Sequence, residues 1–264
     1  MSELLAALLL GILEGLTEFL PISSTGHLLI AQHWLPRQTD FFNIIIQAGA
    51  IIAVVLVFRQ RLVNLALGWR DPVQRDYLFK LGTAFLVTAV VGLVVRKLGW
   101  ALPETVTPVA WALIIGGIWM IVAERLAERR GDNPNVTWTV AVLVGLAQVV
   151  AGVFPGTSRS AAAIFIAMLA GTSRRASATE FAFLVGIPTM FAASGYTFLE
   201  LAKDGQLGQV DWTAVAVAFL AAAVTGFIVV RWLLGFIKSH RYTGFAVYRI
   251  VLGVALLLFL PGGA

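Results

Sequence analysis

The sequence contains no cysteine among its 264 residues. Disulfides, thiolate metal sites and cysteine nucleophiles are therefore excluded. Charge is also scarce, because Asp, Glu, Lys and Arg make up 12% of the chain against about 25% in a soluble domain. Hydrophobic residues account for 59% and the mean hydropathy is +0.88. The composition indicates a polytopic membrane protein with one integral domain, 1–264, and no separate soluble domain.

The net charge of +5 does not indicate a nucleic-acid partner, because Lys and Arg lie in short loops at the ends of apolar segments. Membrane lipid is the expected surrounding. The N-terminus, Met1-Ser2-Glu3, lacks the basic start of a signal peptide, and Glu14 and Glu18 interrupt the apolar stretch that follows. We therefore expect mature sequence from the first residue.

Six apolar segments are long enough to span a membrane: 41–58, 78–95, 107–124, 180–200, 212–234 and 244–260. Two other stretches, 4–34 and 136–171, are apolar but interrupted, the first at Pro21–Gly26 and the second at Pro155–Ser160. Each half is shorter than the roughly 20 residues that a span needs. Both stretches are predicted to form re-entrant helical hairpins whose tips are buried in protein or line a wet cavity.

The two interrupted stretches resemble each other in spacing. Seven positions separate Glu14 from Pro21 and also Gln148 from Pro155, and an offset of 134 aligns residues 23–27 with 157–161. The order of one hairpin and three spans occurs twice, and three crossings invert the second half. The sequence therefore predicts an all-α membrane fold with an inverted-topology repeat, its halves being about 1–130 and 131–264.

The basic residues of the loops set the orientation, because cytoplasmic loops carry an excess of Lys and Arg. One side receives four: Arg37, Arg96, Lys97 and Lys203. The other receives thirteen: Arg59, Arg61, Arg70, Arg75, Lys80, Arg125, Arg129, Arg130, Arg174, Arg175, Arg231, Lys238 and Arg241. The second side is predicted to be cytoplasmic, with both termini outside. Arg159 and Arg249 belong to neither side.

Glu14 and Glu18 stand one helical turn apart in apolar sequence, where two like charges require compensation. Three interpretations are open: a site for a divalent cation such as Mg²⁺ or Ca²⁺, a general base, or the proton or Na⁺ site of a transporter. The hydroxyl run Ser23-Ser24-Thr25, Gly26 and His27 follows. His27 lies one turn after Ser24, so the two can form a nucleophile with its base; alternatively, His27 only hydrogen-bonds the hairpin tip.

Arg159 is a permanent charge at the second predicted tip and requires an anion. Gly156, Thr157, Ser158 and Ser160 surround it at the start of a helix, where hydroxyls and free backbone N–H groups favour phosphate. The alternative is a structural ion pair with Glu14 or Glu18 that holds the repeats together.

The segments EGLTEFLPISSTGH and PGTSRS, with six spans and two broken hairpins, closely resemble the bacterial undecaprenyl pyrophosphate phosphatases of the bacitracin-resistance type. The resemblance covers essentially the whole chain, including FFNIIIQAGAI and SRRASATEFAFLVGIP. It implies interlocking hairpins in the bacterial cytoplasmic membrane and a site open to the outer side. It also implies hydrolysis of the terminal phosphate of the C55 isoprenoid pyrophosphate carrier, which returns the monophosphate to peptidoglycan synthesis.

Carried over by position, the resemblance makes Ser24 the nucleophile, His27 its partner and Arg159 the phosphate clamp. Glu14 and Glu18 become the acidic pair that binds the divalent cation, and Glu18 can also act as the base. The substrate-binding residues implied are Ser23, Thr25, Gly26, Gln47, Gly156, Thr157, Ser158 and Ser160. The family usually continues SRSGAT, whereas this chain has Ser160-Ala161-Ala162-Ala163.

Other functions remain open from the residues. Direct attack by a metal-bound water is the alternative to a serine nucleophile. A polyprenyl-phosphate flippase or transporter fits the same repeat but has no need of Ser24 and His27. The type 2 phosphatidic acid phosphatases are set aside because residues 158–175 contain no histidine. A homodimer is compatible with the sequence.

Overall fold

The computed structural model describes residues 2–100 and 105–260, and within those ranges the chain is helical without a β-strand. Its α-helices, in chain order, are α1 (Glu3–Thr17), α2 (Ser24–Trp34), α3 (Asp40–Val57), α4 (Arg59–Leu67), α5 (Pro72–Lys97), α6 (Val106–Glu128), α7 (Trp138–Val153), α8 (Arg159–Ala170), α9 (Arg175–Lys203), α10 (Trp212–Phe236) and α11 (Thr243–Phe259). A single 3-10 turn, Gln206–Gln209, precedes α10.

Five of these helices are long and apolar enough to cross a membrane: α3, α5, α6, α9 and α10, with mean hydropathies of 1.4 to 2.4. They coincide with five of the six predicted spans. The sixth predicted span corresponds to α11, which has 17 residues. An all-helical, multi-pass membrane protein is thereby confirmed. The short helix α4 was not predicted.

The two interrupted stretches are each a pair of short helices joined by a tight turn, as predicted. Ser23 precedes α2 with φ 73°, and Ser158 precedes α8 with φ 69°. Both are non-glycine residues with positive φ, a conformation that costs of order 1–3 kcal/mol. Each hydroxyl accepts a hydrogen bond from the backbone N–H three residues later, at 3.3 Å in both helices. The two turns therefore share one strained conformation.

This correspondence corrects the predicted alignment of the tips. Ser23 matches Ser158, an offset of 135, and so Ser24 matches Arg159 rather than Ser158. The second turn contains one more residue after its proline than the offset of 134 allows. Both predicted breaks also extend too far along the chain, because Gly26 lies within α2 and Ser160 lies within α8.

Close helix contacts recur at matching positions of the two halves. Helix α1 packs against α10, and α7 packs against α5. A Cβ at Gly11 would lie 2.2 Å from the carbonyl oxygen of Ala218, and one at Gly145 would lie 2.6 Å from that of Ala84. Both members of the first pair stand 134 positions from their counterparts in the second. Small residues thus allow each helix pair to approach through backbone contact.

Candidate active site

The turns between α1 and α2 and between α7 and α8 meet at Arg249 of α11, whose guanidinium is fully buried. Its Nη1 donates to the carbonyl oxygens of Pro21, at 3.3 Å, and Thr157, at 2.9 Å. Its Nη2 donates to those of Gly156, at 2.9 Å, and Ala112, at 3.1 Å. Arg249 therefore holds both turns together. Sequence reasoning missed this role because backbone carbonyls carry no residue signature.

We expect Arg249→Lys to lower the unfolding temperature in detergent by several degrees. One ammonium group cannot reach carbonyls on opposite sides of a guanidinium, and each buried carbonyl left unpaired costs about 1–3 kcal/mol. Thermal unfolding beside Arg231→Lys, a conservative change at an exposed position of α10, provides the comparison. Equal unfolding temperatures for the two variants would contradict the clamp.

Ser24 and Glu18 form the central pair of the site. The Ser24 hydroxyl donates to Glu18 Oε2 at 2.6 Å, and both residues are buried. Glu18 follows the last residue of α1 and Ser24 begins α2, so the turn brings together residues six positions apart. A carboxylate that accepts from a serine hydroxyl is placed to remove its proton.

Neither ring nitrogen of His27 hydrogen-bonds Ser24, which corrects the predicted Ser–His pair. Its Nδ1 lies 2.7 Å from the carbonyl oxygen of Ser23, and its Nε2 lies 2.7 Å from the hydroxyl of Tyr248. Because a carbonyl only accepts, Nδ1 carries a proton. His27 thus braces the start of α2, as in the alternative interpretation, and Tyr248 is a partner that the sequence did not suggest.

Arg159 reaches the same pair from the other turn. Its Nη2 donates to Gln47 Oε1 at 2.9 Å and lies 3.4 Å from Glu18 Oε1. Its side chain remains 30% exposed. Glu18 therefore touches the Ser24 hydroxyl with one oxygen and faces the guanidinium with the other. Gln47, predicted to bind substrate, accepts this hydrogen bond and orients Arg159.

Two groups beside this pair are buried without hydrogen-bond partners. Both carboxylate oxygens of Glu14 are unpaired, and so is Nε2 of Gln148. Their exposures are 0% and 4%. These positions correspond in the two halves, since 134 residues separate them. Unpaired buried polar groups are costly, so both point to ligands that the chain itself does not provide.

The other predicted substrate-binding residues mostly hold the turns. Ser23 and Ser158 cap α2 and α8, and the carbonyls of Gly156 and Thr157 accept from Arg249. Ser160 donates to the carbonyl oxygen of Leu20 at 3.1 Å, which links the two turns. Thr25 is half-buried and Gly26 is buried in the first turns of α2.

A cavity of about 570 Å³ lies away from the two turns. It is lined by the beginnings of α5, α7 and α9, and its charges are paired with one another, Arg61 with Glu180 and Lys80 with Asp76. We therefore place the site at the two turns, where polar groups lack partners, rather than in the larger space.

Fold and site together define a helical multi-pass membrane protein with acidic, hydroxyl and guanidinium groups buried where two helix pairs are interrupted. A family model described as bacitracin resistance protein BacA matches residues 7–255. The chain therefore belongs to this family.

Relatives match along the whole length. A protein of Stenotrophomonas maltophilia (strain K279a) named undecaprenyl-diphosphatase is 75% identical over 264 residues, which is all of both chains. A protein of the same name from Xanthomonas euvesicatoria pv. vesicatoria (strain 85-10) is 68% identical, again over all of both chains.

Proposed function

We propose that this protein hydrolyses undecaprenyl diphosphate to undecaprenyl phosphate and inorganic phosphate. The observation that carries the proposal is the hydrogen bond from Ser24 to Glu18, with the Arg159 guanidinium against the same carboxylate. Nucleophile, base and anion-binding group are thus within reach of one phosphoryl group. In the cell, this reaction returns the lipid carrier to peptidoglycan synthesis and is the basis of bacitracin resistance.

The residues divide the work of phosphoryl transfer, which is mostly positioning and charge stabilisation. Arg159 binds the terminal phosphate through two oxygens. The Ser24 hydroxyl attacks the terminal phosphorus, the bond to the bridging oxygen breaks, and Glu18 receives the hydroxyl proton. Water then hydrolyses the phosphoserine. A direct attack by water is the alternative, and trapping of phosphoserine distinguishes the two.

Glu14 and Glu18 fit a divalent cation. Both Glu14 oxygens are buried without partners, and carboxylate oxygens are preferred ligands of Mg²⁺ and Ca²⁺. Two carboxylates leave the other coordination positions of such a cation to water and to the substrate phosphate. A bound cation supplies positive charge that offsets the carboxylates and the diphosphate.

The membrane arrangement completes the proposal. The two interrupted helix pairs are re-entrant hairpins, and the six long segments span the cytoplasmic membrane in an inverted repeat of 1–130 and 131–264. Support comes from two matched contacts, Gly11 with Ala218 and Gly145 with Ala84. In each contact, a helix of one half packs against a helix of the other half. Because cytoplasmic loops carry the excess of Lys and Arg, the outer side in this proposal is the opposite face, with both termini and the substrate entrance.

Purified protein in detergent is expected to release inorganic phosphate from a C15 or C55 pyrophosphate, and EDTA should lower the rate at least about tenfold, because the site loses its compensating charge. Phosphate release is measured without any membrane gradient, so a transporter gives none. Folded protein that releases no phosphate would refute the proposed function.

The cation has a second readout in thermal stability. A ligand at 100 times its Kd stabilises the folded state by about 2.7 kcal/mol. Mg²⁺ or Ca²⁺ should therefore raise the unfolding temperature of the wild type and of Glu3→Gln, an exposed control, but not of Glu14→Gln. Phosphate release that resists EDTA, with no cation-dependent stabilisation, would reject the metal site.

A further inference from the structure

Gln148 is a buried amide whose nitrogen is unpaired beside the catalytic pair. Its Oε1 accepts a hydrogen bond from Thr189 Oγ1 of α9 at 3.0 Å, which fixes the side chain. Its Nε2 has no partner, although the residue is 4% exposed. A buried donor without an acceptor is destabilising. The protein therefore keeps two N–H bonds of this amide available for a guest.

The space next to this amide has the size of one water molecule. A cavity of about 20 Å³ is lined by Gln148, Glu18, Arg159 and Ser160, with apolar walls that include Met190. A water needs about 10–15 Å³ and at least two polar partners. Gln148 Nε2 can donate to such a water, which can in turn donate to the Glu18 carboxylate. Volume and polarity both fit.

The repeat explains why an amide suits this position. Gln148 corresponds to Glu14 in the first half, so equivalent helices present a donor on one side and acceptors on the other. A third carboxylate here would repel Glu14 and Glu18, whereas the amide adds donors without charge.

We propose that Gln148 is a catalytic residue that binds the hydrolytic water, in this cavity, together with Glu18. The proposal rests on the phosphatase function proposed above. In the hydrolytic step the water oxygen forms a bond to the phosphorus of phosphoserine 24, and the bond from phosphorus to Ser24 Oγ breaks. Glu18, which has passed the hydroxyl proton of the first step to the departing lipid phosphate, takes a proton from the water and passes it to the departing Oγ. Gln148 keeps the water oxygen oriented towards the phosphorus.

Rapid-quench kinetics with C15 pyrophosphate in detergent separates this step from the first. In Gln148→Met, which keeps the side-chain length and removes the donors, the first turnover of lipid monophosphate should remain close to wild type. Steady-state phosphate release at saturating substrate should fall at least about tenfold, KM should fall with it so that kcat/KM stays close to wild type, and phosphate should accumulate on Ser24. Gln60→Met, the same change at an exposed glutamine of α4 whose Nε2 donates to Asn64, should stay within about twofold of wild type.

Wild-type-like phosphate release by folded Gln148→Met, an increase in KM alone, or an equal slowing of both steps would overturn the proposal. A wild type that releases no phosphate overturns the phosphatase function as well, so the two failures are distinguishable. A second measurement does not depend on turnover or on the variant's folding. An experimental structure of the wild type that resolves waters should show one bonded to Gln148 Nε2 and Glu18, and a dry cavity would reject the site.

Discussion

Ser24→Ala is expected to lower phosphate release by about 10³-fold or more, because removal of a nucleophile leaves only binding and charge stabilisation. The hydroxyl is the group that Glu18 holds at 2.6 Å, and the residue is 7% exposed, so another side chain does not readily take its place. The measurement is inorganic phosphate from a C15 or C55 pyrophosphate, with thermal unfolding recorded to show that the variant is folded.

Two matched variants sharpen this result. Ser194→Ala removes an equally buried hydroxyl, bonded to the carbonyl oxygen of Ile44 at 3.2 Å in another part of the fold, and should leave turnover within about twofold. Ser23→Ala removes the cap of α2, which costs about 1 kcal/mol of stability, and should retain far more activity than Ser24→Ala. Ser24→Ala with more than about a tenth of wild-type turnover would reject the nucleophile. Ser24→Cys with near-normal turnover and no trapped phosphoenzyme would reject the covalent route.

The helices could be predicted from the sequence because apolar run length leaves few alternatives in a membrane. The segment 212–234 became Trp212–Phe236, and 107–124 became Val106–Glu128. The predicted helix bounds were wrong where a helix continues past its apolar run. Helix α5 begins at Pro72, before the predicted start at 78. The prediction missed its first turns because Gln74, Arg75 and Asp76 lower the local hydropathy there. The polar helix α4 was not predicted for the same reason.

The sequence indicates which residues belong to the candidate site, but not which of them hydrogen-bond one another. Ser24 and His27 stand three residues apart, which favours contact along a regular helix. Ser24 is, however, the first residue of α2, and its hydroxyl turns back across the preceding turn to Glu18. His27 finds Tyr248, 221 positions away. Local periodicity contains no information about such contacts.

Gln148 and Arg249 were visible in the sequence without a role. In the sequence, Gln148 is identifiable only as the counterpart of Glu14, and Arg249 only as a charge on neither side of the membrane. The role of Gln148 follows from the missing partner of its amide nitrogen, and the role of Arg249 follows from its hydrogen bonds to four backbone carbonyls. Both are properties of packed backbone, which a residue pattern does not specify.

Arg159→Lys is expected to lower kcat/KM by about 10²–10³-fold, the loss typical for one group that stabilises charge in the transition state. Gln47 holds the guanidinium at 2.9 Å, and the side chain is 30% exposed, so its remaining N–H groups are free to fork onto two phosphate oxygens. A lysine ammonium at the same place retains the charge but acts as a point. The loss should therefore appear although the net charge of the site is unchanged.

Arg174→Lys is the matched control, since that arginine pairs with Asp132 at an exposed position. It should leave kcat/KM within about twofold of wild type, because exposed ion pairs contribute little. If Arg159→Lys also stayed within that range, the guanidinium would act only as the structural partner of Glu18 and Gln47. Loss of activity in Arg159→Lys with an unchanged unfolding temperature separates phosphate binding from that structural role, because a purely structural arginine would lower both together.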